Sequence, residues 1–205
     1  LVGSVPYENS AEVFKNVSVS LGEHIKRLPD GETGVRTNWI DWQLPMLEKN
    51  QNLHLVENES YKYTQIRQLA LLPSCDGKNL QLGDTGYARV ALESFEEFSA
   101  LKKSGQVPEN CRFQVCLPTP LATTHIYVEP TLRRDFEAQY EERMVADLEK
   151  ILSGIPHEEL AIQWDTAVEF ALLEGVMPSY IENLKEGVIE RLLRLGNKVP
   201  DAVEM

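Results

Sequence analysis

Leu160-Ala161-Ile162-Gln163-Trp164-Asp165-Thr166-Ala167-Val168-Glu169-Phe170 is an apolar run interrupted by an acid. Its opening residues suit a buried strand, with Asp165 at or near the C-terminal end. Upstream, residues 130–152 carry Leu132, Phe136, Tyr140, Met144, Leu148 and Ile151 at three- and four-residue spacing, the apolar stripe of a long helix. Before that helix, residues 112–122 (Arg-Phe-Gln-Val-Cys-Leu-Pro-Thr-Pro-Leu-Ala) read as another strand, which must stop at Pro118 because Pro120 follows. Downstream, a last helix is expected over residues 179–195. Strands alternating with helices argue an α/β protein with a parallel sheet, whose reactive groups collect at the C-terminal strand ends.

The same alternation extends toward the N-terminus. Residues 87–103 read as a helix carrying Val90, Phe95, Phe98 and Leu101, ending near Gly105. Residues 80–82 look like a strand leading into Gly83-Asp84-Thr85-Gly86, and a helix is possible over residues 63–71. Ser10 can cap a helix with Val13, Phe14, Val17 and Leu21 on one face, closing near Gly22. Residues 1–6 form a short apolar stretch broken by Gly3 and Pro6. The expected parallel neighbours are residues 1–5, 25–28, 80–82, 113–117 and 161–164, about five strand-and-helix units in one domain spanning 1–205. A (β/α)₈ barrel needs eight units in roughly 250 residues. The expectation is therefore an open doubly wound sheet or a barrel with units missing.

Composition bounds the function. With 205 residues, 42% of them hydrophobic, the chain can bury a sizeable core. Twenty basic residues against 32 acidic ones give a net charge of −12, and no Lys/Arg run stands out, which argues against nucleic acid and anionic membrane as partners. No transmembrane run or signal-peptide pattern appears. Cys75, Cys111 and Cys116 are an odd number without framework spacing, so free thiols and a reducing, cytoplasmic setting are expected. The chain opens at Leu1 inside an apolar run and stops at Met205 on an apolar tail, and so reads as a piece of something larger.

Residues 28–42 (Leu-Pro-Asp-Gly-Glu-Thr-Gly-Val-Arg-Thr-Asn-Trp-Ile-Asp-Trp) gather the densest chemistry. Gly31 and Gly34 permit a tight turn or positive φ beside a ligand. Glu32 then sits where a rigid scaffold can aim it into a cleft. Arg36 could pair with Glu32 or hold an anionic substrate group. Trp39 and Trp42 offer flat walls, each with an N–H. The plainer alternative is a turn with solvated acids and core tryptophans. The strand-end rule selects Ser4, Glu32, Asp84, Thr119 and Asp165; a helix cap is the structural alternative for Asp165. The four histidines have no metal spacing, Cys111 and Cys116 fall on opposite strand faces, and no nucleophile–base signature or phosphate-binding glycine loop is present.

Four stretches, in order, resemble one family: Leu-Val-Gly-Ser-Val-Pro at residues 1–6, Pro-Asp-Gly-Glu-Thr-Gly-Val-Arg at 29–36, Phe-Gln-Val-Cys-Leu-Pro-Thr-Pro-Leu-Ala at 113–122, and Ala-Ile-Gln-Trp-Asp-Thr-Ala-Val-Glu-Phe at 161–170. Together they look like the uroporphyrinogen decarboxylase / cobalamin-independent methionine synthase-like superfamily. The resemblance implies a (β/α)₈ barrel and methyl or alkyl transfer to a zinc-bound thiol. It implies amino-acid substrate contacts at Gly3, Ser4, Glu32 and Asp165. If the barrel forms, Trp39 or Trp164 is expected to wall the shared cavity and Arg36 to brace Glu32 or meet a substrate carboxylate. Where the synthase continues its Gln-x-Asp with Glu-Pro, this chain has Thr166-Ala167, so the substrate is expected to differ. The family's zinc ligands begin on the next strand, about where Met205 stands, so this chain alone is expected to bind no catalytic zinc. Two other readings stay open. One is a degenerate barrel binding a small ligand, a completing chain or a second copy; the other is a hydrolase using Glu32 and Asp165 as a carboxylate pair.

Overall fold

Phe113 shows how the layers arise. Along residues 112–118 the side chains alternate faces; Phe113, Val115 and Leu117 point to one side, and Gln114 and Cys116 to the other. A computed structural model of the chain, describing residues 1–58 and 66–205, shows what each face meets. In chain order its elements are α1 (Ser10–Leu21), β1 (Arg27–Pro29), the short α2 (Leu44–Leu47), β2 (Leu53–Asn58), β3 (Ile66–Leu71), α3 (Tyr87–Lys103), β4 (Arg112–Pro118), α4 (Pro120–Tyr127), α5 (Arg133–Gly154), β5 (Leu160–Asp165), α6 (Ala167–Leu173) and α7 (Leu184–Gly196).

The chain is α/β, built on a parallel sheet ordered β1-β4-β5. The register sets Leu28 beside Phe113, Phe113 beside Leu160, and Pro118 beside Asp165. Near the C-terminus Glu204 bridges Ala161 in parallel, accepting a 2.8 Å hydrogen bond from the Ile162 N–H. These segments therefore succeed one another in chain order, without the reversal that marks a doubly wound sheet. The Phe113 face is covered by Phe14 of α1 and Phe98 of α3, with ring centroids 6.1 and 5.4 Å away. All three rings are essentially removed from solvent, each burial contributing about 1.5–3 kcal/mol. The helices follow the same succession: α1 packs on α3, α3 on α5, and Arg191 of α7 grips Glu137 of α5 at 2.5 and 2.8 Å.

Several expected elements differ. Residues 1–5 form no strand: Gly3 is left-handed at φ 81°, and the segment meets β1 through one bond, Val5 N–H to the Gly31 carbonyl at 2.8 Å. Residues 80–82 are irregular, because side chains satisfy their backbone: the Leu80 N–H donates to Gln139 and its carbonyl accepts from Asn50. Gln81 is left-handed as well. Of the possible helix over 63–71, residues 66–71 are instead strand β3, paired antiparallel with β2, and 63–65 lie outside the described residues. Three of the five expected parallel strands are present, and among the described residues the sheet does not close on itself. The first helix is capped by Asn9, whose side chain accepts from the Glu12 N–H at 3.0 Å, one position earlier than expected. No helix among the described residues is long and apolar enough to cross a membrane.

Candidate functional site at the strand ends

The segment leaving β1 makes a sharp turn. Gly31 has φ 77° and Glu32, though not glycine, has φ 49°. A non-glycine side chain in this region is strained, and such strain persists only where surroundings over-determine it. Asp30 is what holds it. Its carboxylate accepts from the Glu32 N–H at 3.0 Å, from Arg36 through two nitrogens at 3.2 and 2.7 Å, and from the Ser94 hydroxyl of α3 at 2.9 Å. Gly31 is equally constrained: a Cβ there would lie 2.8 Å from a Val13 methyl. The expected pairing of Arg36 with Glu32 is thus replaced by a fork on Asp30, two residues earlier, whose planar geometry matches the guanidinium.

The turn brings Glu32 to Ser4, whose hydroxyl stands 3.1 Å from the Glu32 carboxyl and 2.7 Å from the Thr37 carbonyl. Glu32 is 9% exposed. Burial pushes its carboxyl above the ordinary value of 4.5; a hydrogen bond donated by Ser4 opposes this, as does Arg36, while Asp165 and Asp30 push the same way as burial. Asp165 is therefore close enough to act on Glu32 electrostatically. The sheet brings together Ser4, Glu32 and Asp165, which lie far apart in sequence.

Asp165 is no helix cap: Thr166 precedes α6 and makes no side-chain capping bond. Its carboxyl is also pushed up by burial, while hydrogen bonds from Gln163 (2.6 Å) and the Trp39 indole favour its charged form. Trp39 thus stands beside Asp165. Gln163 is itself fixed, accepting at 2.7 Å from Gln114 on β4, which also donates to the Leu1 carbonyl at 3.1 Å. A ladder of amides thus runs up the sheet face opposite the helices and ends on Asp165. Sequence reasoning missed Asp30, Gln114 and Gln163 as supports. The period of two between Gln163 and Asp165 was the available signal, since it puts both on one face.

A cavity of about 700 Å³ lies along that same face, lined by Arg27, Gln114, Ala161, Gln163 and Trp164 among others. Glu32 and Asp165 are not among its lining residues, so the cavity meets the cluster through the amide ladder rather than enclosing it. Trp164 does form part of the wall, and its indole N–H is buried without a partner among the described residues. Gly3 has open space where a side chain would stand. Thr119 sits at the end of β4, its N–H 3.4 Å from the Asp165 carbonyl and its hydroxyl bonded to the buried Glu169. Asp84 is exposed and turned away, capping the Gly86 N–H at 2.7 Å.

Zinc does not fit the residues present. Among the described residues no group of three or more His, Cys, Asp or Glu side chains could hold a metal ion. Cys116 lies on the amide face, but burial pushes its thiol up to about 12, which disfavours the thiolate a metal requires.

Arranged in this way, the strand ends can receive a compact cation. Asp165 and Asp30 both act electrostatically on Glu32, and the Arg36 guanidinium is already committed to Asp30. Comparison with protein-family models, with curated proteins and with solved structures found no match to this chain.

Proposed function

We propose that this chain supplies the substrate-ammonium end of a methionine-synthase-like methyl or alkyl transferase acting on a small thiol or amino acid, and that its parallel strands belong to a (β/α)₈ barrel. The observation that carries the reading is the meeting of Ser4 with Glu32 at 3.1 Å, with Asp165 electrostatically coupled to them. The resemblance assigns substrate contacts to those same residues. The barrel is supported by strands that succeed one another in chain order, with Glu204 adding to the free edge of β5. An ammonium between two partly desolvated carboxyls would be bound by charge-assisted hydrogen bonds, fixing the reach of an attached thiol. The residues described do not hold zinc, and in this reading any zinc takes its ligands from elsewhere.

Calorimetric titration of the 205-residue chain with cysteamine and with 3-mercaptopropionate tests the reading. Cysteamine should bind, the thiol acid lacking an ammonium should not, and Asp165→Ala should weaken cysteamine binding tenfold or more without unfolding the chain. Equal binding of both compounds, or of neither, sinks it. The second reading, a non-catalytic barrel seated on a partner chain or a second copy, is favoured by the roughly 700 Å³ cavity on the uncovered sheet face. It predicts an assembly larger than a monomer by light scattering.

A further inference from the structure

Donors are shared unequally among the three carboxyls of the cluster. Asp30 accepts from both Arg36 nitrogens, the Ser94 hydroxyl and the Glu32 N–H. Asp165 accepts from the Gln163 amide and the Trp39 indole. Donors aimed at a carboxylate favour its charged form. Among the described residues the Glu32 carboxyl has one hydrogen-bond partner, the Ser4 hydroxyl.

That hydroxyl has a single hydrogen, and it faces two oxygens. The Thr37 carbonyl, at 2.7 Å, can only accept, and it is closer than the Glu32 oxygen at 3.1 Å. If Ser4 donates to Thr37, an ionised Glu32 faces the lone pairs of Ser4 and is left without a donor. A protonated Glu32 donates to Ser4 Oγ, and both contacts are made.

Groups on every neighbouring element bear on this. Asp165 at the end of β5 and Asp30 on the same turn both oppose ionisation of Glu32, as does burial. Tyr87 of α3 and Cys116 of β4 also feel the Glu32 charge, and burial makes both harder to ionise. Arg36 favours the anion but is held on Asp30, and Ser4 favours it only when its one hydrogen turns from Thr37 to Glu32.

We propose that Glu32 keeps the last proton of this cluster before ligand enters, donating it to Ser4, and that an arriving primary ammonium group expels that proton to solvent. The balance is simple: the Glu32 O–H bond breaks, the proton leaves to water or buffer, and the carboxylate electron pair accepts an ammonium N–H. The inference rests on the ammonium reading of the site, but the placement of the proton is measurable without any ligand.

Carbon-13 NMR titration of the side-chain carboxyls, with Glu32 assigned through Glu32→Gln, tests that placement. Asp165 should ionise before Glu32. Ser4→Ala, at an exposed position, should lower the Glu32 midpoint, since it removes the acceptor of the acid's hydrogen. Ionisation of Glu32 before Asp165, or a raised midpoint in Ser4→Ala, overturns the proposal. Cysteamine calorimetry below the Glu32 midpoint, in two buffers of different ionisation enthalpy, should show about one proton released per ligand bound. Binding with no proton released overturns the expulsion step. Absence of cysteamine binding removes the ammonium reading and the expulsion together, while the NMR order still decides where the proton sits.

Discussion

The Arg36 guanidinium holds Asp30 through two nitrogens, at 2.7 and 3.2 Å, and so leaves Glu32, two residues on, without a hydrogen-bonded cation among the described residues. Both partners are largely buried, with side chains 15% and 11% exposed. The pair therefore does two things. It anchors the left-handed turn through the Glu32 N–H, and it commits the Arg36 hydrogen bonds to Asp30, so that Arg36 reaches Glu32 only through its field.

Removing one partner should expose how much the turn depends on it. Asp30→Ala strands a buried guanidinium and frees the Ser94 hydroxyl and the Glu32 N–H, so a loss of about 3–5 kcal/mol is expected. Urea unfolding followed by circular dichroism measures it. A change under about 1 kcal/mol would mark Asp30 as an ordinary solvated turn residue.

Gly31 and Gly3 share a left-handed backbone but differ in surroundings. At Gly3 an added methyl meets nothing within 4 Å, so Gly3→Ala should cost only the conformational term of about 1–2 kcal/mol. At Gly31 the methyl also runs into Val13 and Val5, and Gly31→Ala should cost clearly more. Thermal melts of the two variants side by side check the ordering; equal losses contradict it.

The raised Glu32 carboxyl makes a signed prediction about pH. A folded-state value above the ordinary 4.5 means the folded chain binds the proton more tightly than the unfolded one. Its stabilising contribution is then complete below about 4.5 and is lost as pH rises through the folded-state value. Glu32→Gln cannot ionise, so its stability relative to the native chain should increase as pH is raised from about 4.5 toward neutrality. A constant difference across that range would contradict the shift.

Thiol reactivity should follow burial. Burial pushes Cys111 up to about 11 and Cys116 up to about 12, so both are almost wholly thiol near neutral pH. Cys75 is more accessible than Cys111 and lies in a turn. Iodoacetamide labelling of the native chain, read by mass spectrometry, should modify Cys75 first. Prior labelling of Cys116 would show that its cover opens readily.

By itself the sequence determined the elements whose patterns are local. The stripe through Phe136, Tyr140, Met144 and Leu148 makes α5, and Pro118 and Pro120 end β4 because a proline cannot continue a central ladder. Asp165 at its strand end, and the turn around Gly31 and Glu32, follow from the same local rules. Only the tertiary structure decided the rest. Residues 66–71 carry apolar positions open to either period and became a strand because β2 lies beside them. Leu80 and Leu82 are buried, but the side chains of Gln139 and Asn50 reach the Leu80 backbone, and no neighbouring strand is needed there. Arg36 chose Asp30 over Glu32 because the left-handed turn presents both Asp30 oxygens to the guanidinium. The support of Asp165 by Gln163 and Gln114 exists only once β4 and β5 are in register. Local patterns specify backbone conformation. Which donor reaches which carboxylate is set by distances that exist only in the folded chain.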